Sequence, residues 1–152
     1  MTPYEQLKQL QFELPLSPKP QGSYVPLVRT GSLVFVSGQL PMRTGSVAVC
    51  GPVGGTVSIE EAQEAARLCI LNMLAALEGN GVPLSSVKQV VKLSGFVQSA
   101  PGFADHAKVI NAASDLLAQV FGEAGRHARA SIGAAALPLN ASVEIEGIFE
   151  VG

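Results

Sequence analysis

A chain of 152 residues with 47% apolar and only 14% charged side chains is long enough for one sizeable core and too short for two ordinary domains. Its net charge of −2, with no basic block, leaves no electrostatic footprint for general binding to nucleic-acid phosphates. No apolar run approaches the roughly 18 residues of a membrane span.

The charge fraction lies well below the roughly 25% of an average soluble domain. Either the core is unusually large or apolar surface is buried against other copies of the chain. The second is favoured, because a small domain has little interior to hide so much apolar area. Cys50 and Cys69 show neither metal-ligand spacing nor a C-x-x-C pair, and the N-terminus lacks the charged-then-apolar layout of a signal peptide. A reducing cytoplasm is the expected compartment.

In chain order, Thr2-Pro3-Tyr4-Glu5 has the form of a capping box with proline at the first helical position, and Tyr4, Leu7 and Leu10 follow at helical spacing. A short amphipathic helix is expected there. Leu14 to Gly22 holds three prolines and reads as an extended connector. No change of composition follows it, so residues 1–152 read as one domain, with 1–21 as its N-terminal helix and connector.

Ser23–Val28 and Ser32–Gln39 read as strands around a turn at Arg29-Thr30-Gly31. Pro41–Gly45 is a second turn, Ser46–Cys50 a possible third strand, and Gly51–Gly55 a loop. That loop precedes a helix but lacks the lysine of a phosphate-binding G-x-x-x-x-G-K-[ST] motif. Ser58-Ile59-Glu60-Glu61 is a second capping box, and Ala62, Ala66, Cys69, Met73 and Leu77 mark one face of the helix it starts. Gly79 and Gly81 end it.

Val87–Val97 is valine-rich and reads as a strand. A second long helix is expected from Pro101, with Val109, Ile110, Ala113, Leu117, Val120 and Phe121 as its apolar face, closed by Gly122 and Gly125. Ala128–Leu137 and Val143–Val151 are the last strands. The order predicts an α+β fold: one sheet with two helices laid on one face. The other face is left to polar residues or to another chain. Alternation turns Val143, Ile145, Phe149 and Val151 toward the helices and Glu144, Glu146 and Glu150 away from them.

Arg129 stands at the head of an apolar run, and the last two strands are expected to lie side by side, with Glu144 returning beside Arg129. A guanidinium in such a setting needs an anion or hydrogen-bond acceptors. Its forked donors suit a carboxylate, so the expected ligand is a small carboxylic acid. The bland reading is a structural ion pair of Arg129 with Glu144 or Glu146. His106 and His127 fit no metal site with either cysteine.

Four segments resemble the RidA/YjgF family, also called the endoribonuclease L-PSP family. They are Gly22-Ser23-Tyr24-Val25, Val36-Ser37-Gly38-Gln39-Leu40-Pro41, Asn111, and Ala128-Arg129 through Leu137-Pro138 to Val143-Glu144-Ile145-Glu146. The stretch Arg126-His127-Ala128-Arg129-Ala130-Ser131 looks like a divergent subgroup, and the N-terminal helix lies outside the usual family core.

The resemblance implies a chorismate-mutase-like fold, a homotrimer with clefts between subunits, and cofactor-independent hydrolysis of small reactive 2-imino acids such as 2-aminoacrylate to a 2-keto acid and ammonia. Carried over by position, Arg129 would hold the substrate carboxylate and Glu144 would position or activate water. Tyr24, Ser37, Gly38 and Asn111 would line the pocket, joined by Ser131. No metal or other cofactor is implied. Ser131 replaces a cysteine frequent in the family, which removes thiol chemistry but keeps a hydrogen-bond donor. The segment between Phe103 and Asn111 looks longer than usual and would reshape one wall.

Two other readings share these residues. One is a non-catalytic module that binds small carboxylates in the same cleft. The other is an RNA-cleaving translation inhibitor with His127 as acid or base and Arg126 and Arg129 on phosphate.

Overall fold

The computed structural model describes residues 1–152. Both capping boxes form. Thr2 Oγ1 accepts the Glu5 N–H while the Glu5 carboxylate takes the Thr2 N–H, starting helix α1 (Pro3–Gln9). Ser58 and Glu61 do the same for α2 (Ile59–Gly79). Each box satisfies donors that a helix start otherwise leaves orphaned. The third helix, α3 (His106–Phe121), begins five residues later than its apolar pattern suggested. Phe103 N–H closes a turn on the Ala100 carbonyl, and Gly102 sits at φ 82°, so residues 100–103 are spent on a turn.

The seven strands are β1 (Leu27–Thr30), β2 (Leu33–Gln39), β3 (Met42–Arg43), β4 (Ser46–Val47), β5 (Val87–Gln98), β6 (Ala128–Ala134) and β7 (Val143–Val151). Five form one sheet in the order β1-β2-β7-β5-β6. β1 is displaced from the expected Ser23–Val28. Pro26 has no N–H to give a ladder, and the reversal falls at Gly31-Ser32, where Gly31 takes φ 59°. The third strand shrinks to Ser46–Val47. It pairs only with β3 across Thr44-Gly45, both at positive φ, as a hairpin separate from the main sheet. Cys50, at the expected end of that strand, instead bridges Ala141. β6 ends at Ala134 because its partner ends opposite, at Gln98.

The largest departure concerns the last two strands, expected to lie side by side. β5 and β6 run parallel with α3 as their crossover, which carries β6 to the far edge. β7 then returns between β2 and β5. A whole strand therefore separates β6 from β7.

α2 and α3 cover one sheet face. Phe149, Ile145, Leu93, Ile110, Leu117 and Met73 are fully buried between them. Glu144 lies between the buried Val143 and Ile145 and turns to the opposite face, as alternation required. That face is uncovered and apolar in part: Phe35 is 42%, Ile132 52% and Val28 54% exposed. No helix is long and apolar enough to cross a membrane.

Candidate active site

β2 gains one residue on β7 between Val36 and Gln39, which pair with Gly147 and Ile145. A bulge of this kind bends the strand and re-aims its side chains, and glycine inside a strand is its usual sequence mark. Here it falls on Ser37-Gly38. Ser37 Oγ donates to the Val25 carbonyl at 2.7 Å, fixing the approach to β1. Gly38 is pressed against the Glu144 carboxyl: a Cβ built on it would lie 2.6 Å from Glu144 Oε2. The bulge thus makes room for a carboxylate that a larger residue would push away.

Around this carboxylate lies a cavity of about 420 Å³. Tyr24, Ser37, Gly38, Glu144 and Glu146 line it, with the connector residues Pro18 to Gln21 opposite. Burial raises the Glu144 pKa above the usual carboxylate value, and the like charge of Glu146 adds to the rise. Buried amides hold the cavity rim. Asn72 Nδ2 donates to the Leu40 and Met42 carbonyls at 3.2 and 3.0 Å. Gln98 Nε2 donates to the Asn140 and Ala141 carbonyls at 3.2 and 2.9 Å, pinning the turn that presents Pro138.

Arg129 is elsewhere. Its position on β6 is level with the buried Leu93, so its side chain points to the helix face. Arg129 Nη1 donates to Asn111 Oδ1 at 2.9 Å and to Ser114 Oγ at 3.1 Å, both on α3. Ser114 Oγ lies 2.8 Å from His127 Nε2, and His127 Nδ1 lies 2.7 Å from the Gly125 carbonyl. A carbonyl only accepts, so in the neutral ring Nδ1 carries the proton and Nε2 accepts from Ser114. Both ring nitrogens are engaged within the chain. None of the three ion pairs in the structure includes Arg129, and its Nε and Nη2 have no partner in the chain. The ion pair with Glu144 or Glu146 that the bland reading supposes does not form.

All the predicted residues but Ser131 therefore fall into two groups. Tyr24, Ser37, Gly38 and Glu144 share the cavity. Arg129 and Asn111 share a second hollow with Ser114, Asp115 and His127. Arg129 is level with Leu93 on β5 and Glu144 with Phe96, so they are two strands apart, three residues along and on opposite faces. From standard strand spacing their Cα atoms are ~14 Å apart. Ser131 lines neither hollow, and its hydroxyl is buried without a hydrogen-bond partner.

Sequence reading missed Ser114, although it lies three residues after Asn111 and so on the same helix face. It also missed the connector as a cavity wall, where the only signal was the proline-rich composition.

Residues 5–150 match the family model described as "YjgF/chorismate_mutase-like, putative endoribonuclease". The chain is 40% identical over 146 residues to Protein TCP17 of Trypanosoma cruzi, covering 95% of this chain and 91% of that one. It is 36% identical over 139 residues to the 2-iminobutanoate/2-iminopropanoate deaminase of Dermatophagoides farinae, covering 90% and 92%. The crystal structure of protein Atu1372 of Agrobacterium tumefaciens, a protein of unknown function, superposes with a TM-score of 0.88 at 49% identity, covering 99% of this chain and 92% of that one.

Proposed function

The chain belongs to the YjgF/chorismate mutase-like family, and on that premise we propose that it is a cofactor-independent hydrolase of small 2-imino acids. A deaminase of 2-iminobutanoate and 2-iminopropanoate among its relatives supports the reaction class. The observation that carries the reading is the cavity holding Glu144. A half-buried carboxyl whose pKa is raised by burial, in a space large enough for a small acid, suits proton transfer.

The chemistry asks little of the protein. The protonated imine carbon is already electrophilic. Water adds to it as Glu144 takes a proton from the water, giving a carbinolamine. Glu144 returns the proton to nitrogen, and as the C–N bond breaks and ammonia leaves, the Glu144 carboxylate takes the hydroxyl proton and the carbonyl of the 2-keto acid forms. Holding the substrate beside a positioned carboxyl supplies orientation and the proton path.

The carboxylate of the substrate still needs its cation. Arg129 has the free donors but faces the other hollow of its own chain. We place it in the cleft of a neighbouring copy, so that each site takes Glu144, Ser37, Gly38 and Tyr24 from one chain and Arg129 and Asn111 from the next. The exposed apolar sheet face supports such an assembly, and a homotrimer is the expected form.

The test is ammonia release from imino acids generated in situ. Arg129→Ala should lower kcat/KM about 10- to 100-fold, the effect of losing charge-assisted hydrogen bonds worth ~1.5–3 kcal/mol. A rate unchanged by that substitution rejects the reading.

A further inference from the structure

The connector has a definite course. Ser17 packs where a Cβ on Gly79 would sit, 2.6 Å from the Ser17 Cβ, and Asn80 Nδ2 reaches Ser17 Oγ at 3.5 Å. Four residues on, the Gln21 N–H donates to the Tyr24 hydroxyl at 3.2 Å. Pro18 and Pro20 stiffen the span between these anchors by fixing φ. Pro18 to Gln21 are thus held as a strap across the cavity, facing Gly38 and Glu144.

That cavity has more room than the smallest imino acids need. The 2-imino acid derived from alanine has about six non-hydrogen atoms, as many as benzene, which a cavity of ~150 Å³ accommodates. Here the volume is about 420 Å³. Apolar wall comes from Pro18, Pro20, Pro26, Leu40, Met42 and Pro138, beside the polar residues of the site. Met42 supplies an adaptable, polarizable surface. The nearby amides are turned inward, with Gln21 Nε2 on the Lys19 carbonyl at 3.4 Å and Gln39 Nε2 on the Ser37 carbonyl at 3.0 Å. Lys19 is exposed and forms no ion pair, so an acidic side chain would meet Glu144 and Glu146 without a fixed counter-charge.

We propose that the strap Pro18–Gln21 is the specificity-determining wall of this site, and that the substrate is a 2-imino acid bearing a bulky apolar side chain, branched or aromatic. The proposal rests on the deaminase reading only for the reacting group. The side-chain preference belongs to the cavity and can be measured without turnover.

The experiment is calorimetric titration of the full chain with three stable 2-keto acids: pyruvate, phenylpyruvate and 2-oxoglutarate. Phenylpyruvate should bind at least about tenfold more tightly than either of the others, the ratio expected for burying a phenyl ring. In the double variant Pro18→Gly/Pro20→Gly the ratio to pyruvate should fall toward unity. Met42→Trp, which puts a larger side chain in the cavity wall, should lower it as well.

Equal binding of pyruvate and phenylpyruvate, or a preference for 2-oxoglutarate, overturns the substrate class. An unchanged ratio in the strap variant overturns the role of the strap. A parallel turnover assay on imines made from alanine and phenylalanine separates the two proposals. Selective binding with no turnover removes the deaminase and leaves the side-chain preference. Turnover lost in Arg129→Ala with no size preference does the reverse.

Discussion

Gly38 and Glu144 show what a single missing Cβ can do. The atom that Gly38→Ala would strike is the end of a flexible carboxyl, so the fold can yield at little cost while the acid moves. Gly38→Ala should leave the free energy of urea unfolding within about 0.5 kcal/mol of wild type but reduce kcat at least about tenfold. Glu144 itself gives a pH signature. Its folded pKa is raised, so below the ordinary carboxylate range both folded and unfolded chains are protonated and stability is complete. As pH climbs past the folded pKa, stability is lost to ionisation of a half-buried group. Glu144→Gln should therefore melt about 1–3 °C above wild type at pH 8, with the gain vanishing at pH 4. Glu146→Gln removes the neighbouring like charge and should move the acidic limb of the rate profile downward. The outward turn of Glu144 was readable from strand alternation alone. The partners of Arg129 were not, because they come from a helix 15 to 18 residues earlier in the chain.

At the scale of elements, local signals were reliable and long-range order was not. Both capping boxes and the 3.6-residue apolar stripes located α1 and α2, since a helix carries its own start signal and periodicity. Nothing local to β6 or β7 tells that β5 will pass between them. That order follows from a parallel crossover, which only the packing of α3 against the sheet decides. The bulge at Ser37-Gly38 was half legible, as a glycine near a strand end, yet its effect depends on what β7 places opposite. The Pro138–Asn140 turn illustrates such dependence. Leu139 and Asn140 both sit at positive φ, and buried Gln98 donates to two of the turn's carbonyls. Gln98→Ala leaves the Ala141 carbonyl unpaired, while that of Asn140 keeps the Gly51 N–H, and should cost about 1–3 kcal/mol in urea unfolding.

Across the whole molecule, the two faces of the sheet have unequal duties. One is sealed by α2 and α3, and the other keeps Phe35, Val28 and Ile132 in solvent. The low charge fraction already pointed to such a face, although composition could not say where it lies. If neighbouring copies share each site, variants crippled in opposite halves should complement one another. Chains carrying Arg129→Ala and chains carrying Glu144→Ala, denatured together in equal amounts and refolded, should recover about a quarter of the wild-type rate, the chance that an intact half meets an intact half. Sites built within single chains would recover none.

The two sulfurs are just as unequally placed. Cys69 is enclosed in the core, where burial and then the charge of Glu144 raise its pKa, whereas Cys50 is exposed at its bridge to Ala141. Iodoacetamide should therefore add one label per native chain and two once the chain is unfolded, as intact mass would show. The protein carries a ready attachment point for a fluorophore, its Sγ 3.9 Å from the Leu139 carbonyl and next to the turn that bears Pro138. No residue need be engineered in to watch that wall by fluorescence.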